Sequence, residues 1–127
     1  MIRGNCDRAV STPLPEAALL DFAGHRFFLC HGHRYALHGD FATLIAAARN
    51  NEADATLFGH THTPFCETVN GVLLLNPGSV GRPRSSTGAT FAVIECLPEA
   101  PLKTVFWRVS RSHGRKSEIT PSGLYMI

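Results

Sequence analysis

Five of the seven histidines in this 127-residue chain fall between positions 31 and 62: His31, His33, His38, His60 and His62. Imidazole is the commonest protein ligand for metals and titrates nearest to neutrality, so such a group suits metal binding or proton transfer. Two pairs are tightly spaced, in His31-Gly32-His33 and in Gly59-His60-Thr61-His62. Residues two apart in an extended segment share a face, so His60 and His62 are expected to point the same way. Two imidazoles on one face can hold one or two divalent ions. A bare His-x-His is equally compatible with a solvated polar turn. Gly4-Asn5-Cys6-Asp7 adds a third candidate. Asn5 offers a neutral carboxamide oxygen as a ligand, and Asp7 could orient a ligand from behind it. The plain alternative is an Asx turn.

The elements that must position these residues are mixed. Residues 4–16 are rich in Gly, Asn, Asp, Ser, Thr and Pro and read as loop. Strands are expected at Ala17–Phe22 and at Arg26–Cys30, where Phe27, Phe28, Leu29 and Cys30 form a continuous apolar run. A helix follows from Asp40, a good N-cap, to Asn50, with Phe41, Leu44, Ile45 and Ala48 at helical spacing. Ala55–Phe58 is another short buried strand. Asn70-Gly71 between apolar runs marks a hairpin of Phe65–Val69 with Val72–Leu75. Thr90–Cys96 and Lys103–Val109 alternate as a further antiparallel pair. Residues 110–127, basic at Arg111, Arg115 and Lys116, read as a loose tail. Both strands of the strand–helix–strand unit end at a histidine cluster. If they are adjacent and the crossover is right-handed, the clusters converge, beyond the carboxyl ends where open α/β sheets bind ligands.

Composition narrows the classes. Hydrophobic residues make up 44% and charged residues 17%, too apolar for a disordered chain. No apolar run approaches the roughly 20 residues of a membrane span, and Met1-Ile2-Arg3-Gly4-Asn5 is not a secretory start. A net charge of +2 does not point to nucleic acid as a specific partner. Cys6, Cys30, Cys66 and Cys96 are widely spaced, which suits free thiols in a reducing, cytoplasmic compartment. His25, His38 and His113 read as surface residues, and Phe106 and Trp107 as packing.

Four motifs occur in order: Gly4-Asn5-Cys6-Asp7, Leu29-Cys30-His31-Gly32-His33, Gly59-His60-Thr61-His62-Thr63-Pro64 and Asn76-Pro77-Gly78-Ser79-Val80. Together they resemble the calcineurin-like metallophosphoesterase superfamily, above all its small bacterial and archaeal phosphodiesterases of the YfcE type. The resemblance implies an α/β fold, the C-terminal part of a four-layer α/β/β/α sandwich. It implies a partial phosphoesterase domain over 1–109 and a basic, flexible tail over 110–127. It also implies Asn5, His31, His60 and His62 as metal ligands, with Asp7 supporting them. The family binds two divalent metals, commonly manganese, zinc, iron or nickel, and a metal-bound hydroxide attacks the phosphorus of a phosphodiester or phosphomonoester. Cys6 stands where many relatives place a histidine proton donor, and a thiol is a poor substitute for imidazole. His33 could hydrogen-bond the substrate, and Arg82, followed by Arg84, could meet a phosphate. Exposed histidine and solvated loop cations are the plain readings of the same residues.

One departure matters more. The family begins with Asp-x-His and then Gly-Asp, which supply carboxylates to both metals. This chain contains no Asp-x-His, and its Gly39-Asp40 lies after the His31 motif. At most one metal is expected here. Two functional readings stay open: a truncated metal-dependent phosphoesterase, or a non-catalytic remnant that binds one metal or forms half of a split enzyme. The partners implied are a phosphoester substrate, a missing N-terminal half, or a second copy through exposed sheet edges. A phosphate- or nucleotide-binding regulatory domain is a third reading.

Overall fold

The structure is a computed structural model and describes residues 2–4, 14–35, 41–86, 88–110 and 118–122. Strand β1 (Ala17–Phe22) and strand β2 (His25–Cys30) form an antiparallel hairpin. Helix α1 spans Ala42–Asn50. Strand β3 (Ala55–Leu57) then runs parallel to β2. Strands β4 (Pro64–Val69) and β5 (Val72–Pro77) form the second hairpin, with β5 parallel to β3. The first sheet is therefore mixed, in the order β1-β2-β3-β5-β4. Strands β6 (Ala89–Glu95), β7 (Lys103–Ser110) and β8 (Glu118–Pro121) form a separate antiparallel sheet.

Asn70 and Gly71 both adopt positive φ, 51° and 81°. That is the requirement of a type I′ turn, whose twist matches that of the flanking strands. The turn sets the β4–β5 register, with Val69 opposite Val72 and Cys66 opposite Leu75. A slip by one residue would move Cys66 off the Phe106 core and onto the opposite face.

The inner strands β2, β3 and β5 lie between two cores, which explains their near-continuous apolar runs, whereas edge strand β1 leaves Leu19, Leu20 and Phe22 exposed. On one face α1 seats Leu44, Ile45 and Ala48 against Phe28, Cys30, Phe58, Val72 and Leu74. On the other, Phe106 of β7 packs on Cys66 and Leu75, with Leu57, Leu73, Ala92 and Ile94 around it. Trp107 points away from that core and stacks on Phe91, ring centroids 6.4 Å apart and 10° from parallel.

Three expectations change. The helix begins at Ala42, and the residue at its cap is Phe41, left-handed at φ 57° and with no side-chain cap bond. Asp40 lies outside the described residues. Phe41 instead packs on Phe58 and Phe65, with centroids 5.8 and 4.9 Å away, so apolar contact rather than a hydrogen bond sets the helix entry. Part of the segment 110–127 is in strands: Ser110 closes β7, and Glu118–Pro121 pair with Trp107–Ser110 as β8, while 111–117 and 123–127 lie outside the described residues. His25 is half-buried, its Nε2 3.1 Å from the Leu97 carbonyl. His38 and His113 lie outside the described residues.

Cys30 and Cys66 are buried and Cys96 is half-buried. Burial disfavours the thiolate, pushing Cys30 up to about 12 and raising Cys66 as well. Thiolate is the reactive form. In the folded protein at pH 8, iodoacetamide mapping should therefore find Cys96 alkylated well before Cys30 and Cys66, which react only after denaturant is added. Equal rates at the three sites would show that the two cores are open.

Candidate functional site

The parallel strands β2, β3 and β5 all end at one edge of the first sheet. Their carboxyl ends carry His31, Gly59-His60 and Asn76-Pro77-Gly78 respectively. Backbone hydrogen bonds draw these ends together: Gly59 N–H donates to the His31 carbonyl at 2.8 Å, and Phe58 N–H to the Leu75 carbonyl at 3.0 Å. The two histidine clusters meet there, as the strand–helix–strand reading expected.

His60 Nδ1 lies 3.2 Å from His31 Nε2. His33 completes an imidazole group, its ring centroid 5.2 Å from His31 and 6.3 Å from His60. His33 is half-buried, and its Nδ1 is enclosed with no hydrogen-bond partner. Two nitrogens bound to one tetrahedral ion at 2.0–2.1 Å stand about 3.3 Å apart. The His31–His60 spacing is therefore that of two donors to one cation, or of a single hydrogen bond. Among the described residues no three His, Cys, Asp or Glu side chains are placed as a closed metal site. Asn5, Cys6 and Asp7 lie outside the described residues.

The extended His60-Thr61-His62 segment expected from the spacing is replaced by a tight loop. His60 and His62 both have positive φ, 67° and 57°. Thr61 N–H donates back to the Gly59 carbonyl at 2.8 Å. The common face of two alternate residues is lost with this geometry, and each imidazole has its own setting. His60 faces His31. His62 is held by the loop after β5: its Nδ1 is 2.8 Å from the Arg82 carbonyl, and its own carbonyl accepts Arg84 N–H at 3.1 Å. Arg82 reaches the site through this backbone contact, and its side chain is exposed.

The residue that organises the loop is Asn76, which the sequence marks as the start of the Asn76-Pro77-Gly78-Ser79-Val80 motif without giving it a role of its own. Asn76 is fully buried. Its Nδ2 donates to the Gly59 carbonyl at 3.0 Å and to Thr61 Oγ1 at 2.9 Å, while its Oδ1 accepts Gly78 N–H at 3.0 Å. One carboxamide thus ties the Gly-His-Thr-His loop to the Pro-Gly turn. An Asn at a strand end before Pro-Gly was the available signal, and it reads locally as a turn residue only.

A family model described as the calcineurin-like phosphoesterase superfamily domain matches residues 1–98. The chain belongs to this superfamily. Within it, Escherichia coli phosphodiesterase YfcE is 31% identical over 102 residues, which cover 74% of this chain and 50% of that protein. The structure of a conserved uncharacterized protein of Streptococcus pneumoniae superimposes with a TM-score of 0.76 at 26% identity, over 94% of this chain and 68% of that one. The Vps29 structure of Entamoeba histolytica complexed with zinc gives a TM-score of 0.68 at 24% identity, over 96% and 68% respectively. This calcineurin-like chain spans about half the length of the curated relatives it matches. The α/β architecture with two sheets is the fold that these structures share with it. No helix among the described residues is long and apolar enough to cross a membrane.

Proposed function

We propose that this chain is the metal-holding C-terminal part of a metal-dependent phosphoesterase, within a four-layer α/β/β/α sandwich. One observation carries the reading: His31 Nε2 and His60 Nδ1 stand 3.2 Å apart at the ends of adjacent parallel strands. A single divalent ion, manganese, zinc, iron or nickel, fits between two such donors. When bound, a divalent ion polarises a phosphoryl oxygen and makes a nucleophile of water near neutral pH.

The chain's own residues divide the remaining work. His31 and His60 donate electron pairs, joined by His62 and by the carboxamide oxygen of Asn5, with Asp7 orienting that ligand. His33, beside both rings, donates a hydrogen bond to a phosphoryl oxygen of the substrate. Arg82 offsets charge on the same group. Cys6 occupies the proton-donor position with a weak donor, which favours phosphodiesters with good leaving groups.

A second reading is a non-catalytic module that binds one metal, or half of a split enzyme. It is favoured by the geometry at His31 and His60, since no three His, Cys, Asp or Glu side chains among the described residues form a closed metal site. It is also favoured by apolar side chains left exposed on the outer strands: Val93 of β6 and Ile119 of β8 are 50% and 57% exposed. A missing N-terminal half or a second copy could cover them.

Zinc titration by calorimetry tests the metal site. Wild-type chain should bind about one equivalent, and His60→Ala should bind at least tenfold more weakly, a change of about 1.4 kcal/mol. Equal affinity in the two proteins would reject the site. Hydrolysis of bis(p-nitrophenyl) phosphate with added manganese then separates the readings: turnover abolished by His60→Ala supports the enzyme, and metal binding without turnover supports the module.

A further inference from the structure

We infer that the loop 79–86 is the positioning element for His62, and that the Arg82 carbonyl holds this imidazole as the Nδ1–H tautomer. The inference rests on the proposed role of His62 as a metal ligand and adds how its donor atom is selected. A carbonyl oxygen can only accept, so the 2.8 Å contact between Arg82 O and His62 Nδ1 places the proton on Nδ1. The electron pair is then on Nε2, at the far side of the ring from the loop. A neutral imidazole binds a cation through its unprotonated nitrogen, and the bond made by the other nitrogen decides which that is.

The loop is built to hold that carbonyl still. Arg82 N–H donates to Ser79 Oγ at 2.9 Å, fixing the amide side of the same residue. Arg84 N–H returns to the His62 carbonyl at 3.1 Å, so His62 is gripped by backbone groups on either side of Pro83. Pro83 restricts the chain between the two grips. At its base the loop is anchored to the second sheet, where Thr90 N–H donates to the Ser79 carbonyl at 3.3 Å. None of these contacts uses the Arg82 or Arg84 guanidinium. On this reading the backbone of the Ser-Val-Gly-Arg-Pro-Arg stretch matters for the site more than its cations.

The test combines tautomer spectroscopy with zinc affinity, measured on the full chain. Long-range proton–nitrogen correlation at pH about 8.5, above the ordinary imidazole range, should show His62 with Nδ1 protonated and Nε2 unprotonated. Ser79→Ala and Pro83→Gly together remove one anchor and loosen the span between the grips. This variant should show a mixture of the two His62 tautomers and a zinc affinity lower by about tenfold, the lower end of the cost of losing such a partner. Arg84→Ala keeps the backbone N–H that bonds the His62 carbonyl and should keep both the tautomer and the zinc affinity within about twofold. A wild-type His62 protonated at Nε2 would overturn the inference. So would a loop variant that scrambles the tautomer while binding zinc as before. If His62→Ala binds zinc as tightly as wild type, the ligand role of His62 fails and the inference fails with it. If His62→Ala binds zinc weakly and the loop variant changes neither readout, only the positioning role fails.

Discussion

Replacing Gly78 by alanine is expected to lower the unfolding free energy by about 3–5 kcal/mol. Two costs add. Gly78 has φ +82°, a conformation that L side chains rarely adopt. A Cβ there would also fall on the Thr90 hydroxyl oxygen and press on Pro64. Neither neighbour gives way easily. Thr90 is buried at 1% exposure, and its hydroxyl donates to the Pro77 carbonyl at 2.9 Å. Pro64 is buried at the start of β4, in register with Pro77. Urea unfolding of the single and double variants separates the two costs. Thr90→Ala alone should cost about 1 kcal/mol for its lost hydrogen bond. In the Gly78→Ala/Thr90→Ala protein the clash is gone and the backbone strain remains, so the double variant should be more stable than Gly78→Ala alone. Strict additivity of the two changes would show that the predicted clash does not exist.

The second large effect is at Asn76. Asn76→Ala should cost about 3–5 kcal/mol, because it removes three hydrogen bonds from a buried position and leaves their partners unsatisfied. The Gly59 carbonyl, the Thr61 hydroxyl and the Gly78 N–H lose their shared partner together. Asn76→Asp keeps the shape but sets an oxygen against the Gly59 carbonyl where an amide donated. It should therefore recover little of the loss, and burying its charge adds a further penalty. Stability alone would not distinguish a hub from a generic buried polar residue. The distinguishing readout is the amide spectrum of residues 59–63 in Asn76→Ala, which should lose the dispersed shifts of a fixed loop while signals of α1 persist. Loss of less than about 1 kcal/mol with an unchanged loop spectrum would reject the hub. Zinc affinity should fall alongside, since His60 faces His31 only while the loop holds its left-handed turn.

Much of the architecture follows from local patterns. The apolar run Phe27–Cys30, the Asn70-Gly71 turn and the spacing of Leu44, Ile45 and Ala48 each specify one element. Those elements occur within a residue or two of the expected bounds. Helix entry departs from the local pattern: an aspartate before an apolar run normally caps, whereas here the cap residue is Phe41, which packs into an aromatic group with Phe58 and Phe65, far along the chain. Strand β8 has no local signal, since Glu118–Pro121 is short and exposed along its length, and only the edge of β7 makes it a strand.

The site divides in the same way. Residue types and order along the chain determined by themselves that His31 and His60 follow buried strands, that the four motifs resemble the calcineurin-like superfamily, and that parallel strands would bring the clusters to one edge. Tertiary structure alone decided how the imidazoles face. Strand periodicity gives His60 and His62 a common direction, and that holds only for an extended backbone. The buried Asn76 carboxamide bonds the loop from within, and the Arg82 carbonyl takes the His62 ring from outside. Both contacts join residues more than ten positions apart, and φ at His60 and His62 answers to them. A window of neighbouring residues contains neither partner, so no local reading could supply the turn that sends His60 to His31 and His62 to the loop.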